Sequence, residues 1–522
     1  CHWCHVMAHE SFEDKETAEI MNKNFINIKV DREERPDIDF VFQSSYQLLN
    51  QSGGGWPLNM FLDENAVPFM GGTYFPKHPQ HGLPSFIDVL KKISSVYETE
   101  RLKIIPQSKL IIKSLELKKS SVVSQDLESI LNNHIKNLDP VRGGYTGAPK
   151  FPTFNVFDTL LYFYNKTKKE TYLKPVETIL KNLCSQGIYD HTEGGISRYT
   201  VDENWLIPHF EKMLYDNTQF ILLLSNYLKI KHNDYFKNKL IQTIDFIHLN
   251  FTNQKDNLLG SAYDADSDGE EGKYYIYNFE ELKNIKSIEK YFDVRPEGNW
   301  EGKIILRELS YPTPEIIDAL KSIRKTKIKP FFDNKTQLDL NCLWIKGLIS
   351  AHSVIKDQGF LDKAEQLFKN IEKKFTQKKI FHSNSESVVF LEDYAYYINC
   401  LIDLSEQTLN PRYKRIAIEA SKEAIENFYI KEKFIFQKNK ITKNDLFLNP
   451  IDISDHTIPN GNPIMLINLA RLGFKKESKE LASSLNGFLN VYSSFMVSSL
   501  KAIDYFNNIS NGKKCNDQGC DI

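Results

Sequence analysis

The sequence predicts a two-part protein: a short α/β unit followed by a long all-helical unit. Three observations carry this. Residues 1–118 alternate short helix-like and strand-like segments. Ser120 to Gln125 is a small polar linker. From residue 126 to about residue 510 almost every strongly patterned segment has helical periodicity. Residues 511–522 make a polar tail holding Cys515 and Cys520.

In the first unit, Cys1 to His9 reads as one or two helical turns. Ser11 with Asp14 resembles a capping box that opens a second helix through Ile20 and Met21. Phe25 to Val30 alternates apolar and polar residues and predicts a strand. After the charged loop Asp31 to Arg35, Pro36 suits the first position of a helix expected to reach Asn50. Gly53-Gly54-Gly55-Trp56-Pro57 breaks the chain. Leu58 to Leu62 and Val67 to Met70 predict a hairpin about Asp63-Glu64-Asn65, and a last helix is expected from Ser85 to Lys103 or beyond. The order is α-β-α-β-β-α.

In the second unit Met213, Phe220, Leu224 and Leu228 share one helical face. Gly-, Asp- and aromatic-rich loops lie between helices, at Gly143-Gly144-Tyr145, Gly194-Gly195-Ile196, Asp264 to Gly269 and Pro459 to Asn462. Helix, loop, helix recurs without strict sequence repetition, which predicts hairpins of antiparallel helices closed into a ring.

Composition excludes several classes. The chain has 522 residues, 41% hydrophobic and 26% charged, so there is ample material for a core. Its net charge of −2 provides no basic field to hold nucleic acid or an anionic membrane. No apolar run is long enough to span a bilayer. Seven cysteines rule out a disulfide-stapled scaffold. The chain starts at Cys1, inside a motif and without an initiator Met, so it reads as a fragment lacking its true N-terminus. A cytoplasmic location is the expectation, though a targeting segment would have been lost with that terminus.

Cys1-His2-Trp3-Cys4-His5 is the densest chemistry in the chain. Two cysteines two residues apart at a helix start suit a redox dithiol. The helix N-terminus stabilises the thiolate of Cys1, which would attack a disulfide, and Cys4 would resolve the mixed disulfide. The same letters also read as a c-type haem attachment site or as part of a metal site. The downstream order of elements favours the dithiol. Redox dithiols of the thioredoxin type sit on a helix followed by β-α-β-β-α with a proline before the hairpin. Here Trp56-Pro57 directly precedes Leu58 to Leu62. A cis bond there, cheap only before proline, would place backbone groups beside the dithiol to bind an extended peptide, with Trp3, Trp56 and Pro57 as the substrate-binding residues. No second ligand pair for a metal is near in sequence, and neither a metal nor a cofactor is expected.

Through these and further motifs the sequence resembles the thioredoxin-domain family that includes spermatogenesis-associated protein 20 and its bacterial relatives. The resemblance runs over nearly the whole chain. It rests on Cys1 to Met7, Glu10-Ser11-Phe12, Val30 to Asp37, Gly54 to Leu58 and Gly71 to Pro76 in the first unit. In the second it rests on Lys150-Phe151-Pro152, His209 to Asn217, Asp264 to Ser267, Leu391 to Ala395 and Gly461-Asn462. It implies a thioredoxin-like domain over residues 1–118, lacking its N-terminal part, and an (α/α)6 six-hairpin toroid over 126–510 similar to those of sugar epimerases and glycoside-active enzymes. The sequence departs from the family pattern where Leu340 stands for a Trp and Cys342 for a Gly. The pair Cys515 and Cys520 matches the family's C-terminal pair.

A toroid encloses a funnel, and polar residues in its loops could bind a sugar or a peptide. Lys150, His209, Glu211, Asp264, Asp266, Asp393 and Asn462 are the candidate binding residues, with His209 able to act as acid or base. Trp205 and Tyr394 could stack on a carbohydrate. Asp264-x-Asp266-x-Asp268-Gly269 opens like a calcium loop, but the twelfth position is Tyr275 rather than Glu. The leading function is thiol–disulfide exchange with protein thiols or disulfides. A sugar-active toroid, epimerase or glycoside-active, with a regulatory thioredoxin-like domain is the second reading. A redox-sensing, client-binding protein is the third.

Overall fold

The computed structural model describes residues 2–80, 82–118, 126–377, 379–383, 388–440, 446–512, 515–516 and 519–520. The chain forms two compact units, Cys1–Lys118 with Gln437–Ile451, and Lys119–Phe436 with Asp452–Ile522. The sequence pattern had kept Gln437–Ile451 within the helical part.

The first unit holds α1 (His2–Met7), a π-helical turn at Ala8–Phe12, α2 (Lys15–Asn24), α3 (Pro36–Asn50), β1 (Asn59–Leu62), β2 (Pro68–Gly72), α4 (Phe86–Thr99) and α5 (Arg101–Ser114). Met7, Phe75, Phe86, Val89, Leu90 and Ile93 make its core. Pro36 occupies the start of α3, where its missing N–H costs nothing. β1 and β2 pair antiparallel around the expected turn, where Asp63 Oδ1 takes the N–H groups of Asn65 and Val67.

Three expectations need correction. Asp14, not Ser11, caps α2: its carboxylate accepts from Thr17 N at 3.0 Å, while Ser11 is buried in the π-turn with its hydroxyl 3.4 Å from Phe75 O. The last helix breaks at Glu100, which leaves helical geometry and starts a second helix. Phe25–Val30 forms no strand, and Ile26 is 94% exposed. Alternation selects a strand only when a neighbour supplies the ladder hydrogen bonds, and among the described residues none pairs with this segment.

The second unit begins with α6 (Leu127–Lys136), α7 (Phe154–Thr167), α8 (Glu170–Ser185), β3 (Lys212–Met213), α9 (Leu214–Leu228) and α10 (Asp234–Asn250). A long excursion comes next: β4 (Ala262–Tyr263), β5 (Asp266–Ser267), β6 (Glu270–Glu271), α11 (Phe279–Leu282), α12 (Pro314–Arg324) and β7 (Phe332–Asp333). The remaining helices are α13 (Leu338–Ile355), α14 (Gln358–Ile371), α15 (Leu391–Thr408), α16 (Pro411–Phe428), α17 (Gly461–Leu472), α18 (Lys475–Tyr492) and α19 (Val497–Ser510).

Packing closes these into a ring. Helices α7, α9, α13, α15, α17 and α19 touch in that order, and α19 returns to α7. Each also packs on an outer partner: α8, α10, α14, α16, α18 and, for α19, α6. Burial matches this division. Outer α14 buries one stripe, Phe360, Leu361, Ala364, Leu367, Phe368 and Ile371, whereas inner α9 and α13 are buried nearly all round. The unit is therefore an (α/α)6 toroid.

The links from α7, α9, α13, α15 and α17 to their outer partners are only a few residues long, which forces antiparallel hairpins. All inner helices thus start at one end of the ring. The long connections, 186–213, 251–337, 372–390 and 429–460, lie at that end; they carry His209, Glu211, Asp264 and Asp266, while Asp393 and Asn462 lie in the first turns of α15 and α17. A small sheet, β3-β4-β7, joins two of them. Backbone pairing sets Cys515 opposite Cys520 in a short hairpin.

Candidate functional site

In the first unit α1 carries Trp3 and a half-buried Cys4; Cys1 lies outside the described residues. The Trp3 ring is 51% exposed and meets Tyr74 edge-on at 5.2 Å. Tyr74 donates to Glu10 at 2.5 Å; burial, then that carboxylate, push its hydroxyl up to about 12. Trp56, 37% exposed, donates its indole N–H to Asp39 at 2.8 Å and lies under the Arg32 guanidinium at 4.1 Å. The Trp56–Pro57 bond is cis. Arg35 grips buried Asp37 through two hydrogen bonds of 2.8 and 2.7 Å, and Asn439 adds a third at 2.9 Å. Burial alone would raise the Asp37 carboxyl; Arg35 and Asn439 outweigh it and hold it below its ordinary value.

In the toroid the first group of motif residues meets in the loops before α9. Thr200 pairs through its backbone with Lys150 on one side and Pro208 on the other, which brings residues 150 and 209 together. His209 stacks on Tyr199 at 4.7 Å and its Nδ1 is 3.0 Å from Glu271 Oε1. Glu271 stands opposite Asp266 in the β5–β6 pair, so Asp264 and Asp266 belong to the same region. Glu211 accepts from Arg198 at 3.3 Å. Burial works against the charge of Arg198, and Tyr215, Glu211 and Asp216 together more than offset it.

Several of these side chains hold structure. Lys150 is buried, with Nζ 3.0 Å from Asp139 Oδ2 and 3.2 Å from Glu203 O, so it ties two loops. Burial would raise Asp139, but the N–H of Arg142, Lys150 and the N–H of Val141 bring it down to about 2. Lys150→Met is expected to cost ~2 kcal/mol in denaturant unfolding, the worth of a charged hydrogen bond in a buried setting; a loss within error would leave Lys150 available for ligand. Asn462 is likewise engaged. Its carboxamide accepts from Phe436 N at 3.1 Å and donates to Phe436 O and Asp452 O. Trp205 and Tyr394 correct the expectation of sugar-stacking rings. Both are fully buried, Trp205 donating to Arg142 O and Tyr394 to Glu423. Lys273 spans Asp268 and Glu270, occupying the loop read as calcium-like.

Asp393 has different company. It lies in the first turn of α15, where one oxygen accepts from Phe390 N at 2.8 Å and the other stands 2.8 Å from His382 Nδ1. Asp339, in the first turn of neighbouring α13, completes a buried trio. Burial, then the negative charges of Asp393 and Glu392, push the Asp339 carboxyl up to about 7, with His382 opposing. Sequence reasoning missed both as site residues: Asp339 stands directly before Leu340 in the segment that departs from the family pattern, and His382 belongs to no motif that it used.

These units define the class: a thioredoxin-like domain joined to an (α/α)6 toroid. The family model Thioredox_DsbH, described as a protein of unknown function (DUF255), matches residues 1–116. An uncharacterized protein of Caenorhabditis elegans is 29% identical, over 93% of this chain and 75% of its own length. Spermatogenesis-associated protein 20 of Homo sapiens is 27% identical over 78% of this chain and 61% of that protein, and the Rattus norvegicus protein 27% over 90% and 69%. Residues 1–116 thus match a thioredoxin-like family model, and most of the chain is similar to spermatogenesis-associated protein 20. Among solved structures, cellobiose 2-epimerase from Bacillus thermoamylovorans aligns at 12% identity and a TM-score of 0.47, over 71% of this chain and 86% of that one. D-mannose isomerase aligns at 12% and 0.44, over 71% and 87%. Among the described residues no helix is long and apolar enough to cross a membrane.

Proposed function

We propose that the protein carries out thiol–disulfide exchange through Cys1 and Cys4. The observation that supports this is the half-buried Cys4 on α1 of a thioredoxin-like unit, three residues after a second cysteine. The Cys1 thiolate attacks a protein disulfide, forming a mixed disulfide and releasing one client thiolate. The Cys4 thiolate then attacks the Cys1 sulfur. This closes the Cys1–Cys4 disulfide and releases the second client thiol, so the client gains the two electrons that the dithiol loses. Exposed indole surface on Trp3 and Trp56 suits contact with an extended client peptide.

The full chain is expected to reduce insulin disulfides with dithiothreitol as the electron source. Cys1→Ser should abolish turnover, and Cys4→Ser should accumulate a mixed disulfide visible by mass spectrometry. Turnover equal to wild type in Cys1→Ser would refute the reading.

A further inference from the structure

The trio on α13, α15 and the loop between α14 and α15 has a donor set that the redox chemistry does not use. Asp339, His382 and Asp393 are 7%, 2% and 0% exposed. Their candidate donor atoms lie within 4.8 Å of one another. The backbone fixes each of them. Leu338 N bonds to His382 O at 2.9 Å, pinning the histidine to the start of α13. Asp339 Oδ1 takes Leu340 N at 2.8 Å, and Asp393 Oδ2 takes Phe390 N.

We propose that Asp339, His382 and Asp393 bind a divalent first-row transition cation of the Zn²⁺ or Mn²⁺ type in the wall of the toroid. Charge, spacing and donor type all point to such an ion. Buried Asp139, Asp190, Asp403 and Asp504 are each paired with a lysine or arginine. Asp339 and Asp393 have no such partner among the described residues and share one imidazole. Two carboxylates out of water call for a compensating charge, and a divalent cation supplies it.

The spacing agrees. Adjacent ligands on a cation with bonds of ~2.0–2.2 Å stand about 3 Å apart. His382 Nδ1 and Asp393 Oδ1 are 2.8 Å apart. Donor type narrows the choice of ion. An imidazole with two carboxylates suits zinc, manganese or iron, whereas magnesium and calcium prefer oxygen alone. Three protein ligands also leave a position for water or a small oxygen ligand. Gln337 fits as an outer support. Its carboxamide faces His382 Nε2 at 3.3 Å. With a cation on Nδ1, the ring proton sits on Nε2, and the carboxamide, turned over, presents an oxygen to accept it.

The dithiol could bind zinc as well, so the test uses the full chain with Cys4→Ser as background. Protein stripped with EDTA is dialysed against Zn²⁺, Mn²⁺ or Co²⁺. Metal content is measured by mass spectrometry, and the Co²⁺ form is examined optically. One equivalent is expected, with a Co²⁺ spectrum lacking the near-ultraviolet thiolate band and a higher Tm in the presence of metal. Adding Asp339→Asn or His382→Gln should remove that equivalent. Trace binding of all three ions with no change in Tm overturns the proposal, as does a Co²⁺ spectrum dominated by thiolate. A folded Asp339→Asn protein that keeps the full equivalent overturns it too. Should the added variants fail to fold, the stoichiometry and Co²⁺ spectrum of the Cys4→Ser background decide alone.

Discussion

Replacing Asp190 with Asn is expected to destabilise the toroid by ~3–5 kcal/mol, the range for breaking a buried ion pair from one side. One carboxylate here serves two cations. Lys212 Nζ is 2.7 Å from Asp190 Oδ2, and the Arg324 guanidinium reaches both oxygens at 3.0 and 3.3 Å. All three side chains are buried, so Asn would leave two cations out of water with the more exposed Glu193, 3.7 Å from Arg324, to balance them. Burial alone would raise the Asp190 carboxyl; Arg324 first, then Lys212, hold it well below the usual carboxylate range. The folded value is depressed. The contribution of Asp190 is therefore complete above the unfolded carboxyl value of ~3.9 and fades as pH falls through the lower folded value. Denaturant unfolding of both full chains at neutral pH measures the loss. Lys212→Met is the informative comparison. It leaves Asp190 and Arg324 balanced, so it should cost less than Asp190→Asn. Equal losses would mean that packing rather than charge governs the site.

Asn217→Ala is expected to cost ~3 kcal/mol, because it strands several buried backbone groups at ~1–3 kcal/mol each. Asn217 Oδ1 accepts from Ile196 N at 2.8 Å, and Nδ2 donates to Ile196 O at 3.0 Å and Met213 O at 2.9 Å. The carboxamide thus acts as a neighbouring strand would for Ile196. Gly195 is needed beside it. Its φ is +79°, and a Cβ there would lie 2.8 Å from Asn217 Oδ1 and 2.6 Å from the Phe246 ring. Hydrogen exchange at the Ile196 amide should accelerate in the variant, and insulin reduction should hold at temperatures where the chain stays folded. Unchanged exchange at Ile196 would show that the loop finds other partners.

Lys212 and Asn217 both fall in the stretch from His209 to Asn217, one of the motifs that carry the family resemblance, in which only His209 and Glu211 are candidate binding residues. The letters alone could not separate roles there. A lysine written beside a glutamate looks the same whether it meets solvent or a buried Asp190 twenty-two positions away. Asp393 was legible as a candidate because it sits in a recognisable motif. Its partners were not, since His382 and Asp339 reach it only when α13 packs against α15.

What the sequence determined by itself was local and periodic. Helix-period apolar spacing specified the helices of the second unit, Pro36 the start of α3, and the Asp63 turn the β1–β2 hairpin. Those features depend on contacts within a few residues. Tertiary structure decided the rest. It left Phe25–Val30 unpaired despite its alternation, closed α19 onto α7, and brought Asp190 to Lys212 and Arg324. Ladder hydrogen bonds, ring closure and buried charge pairing each need a partner distant in the chain, and no local pattern carries that partner's position.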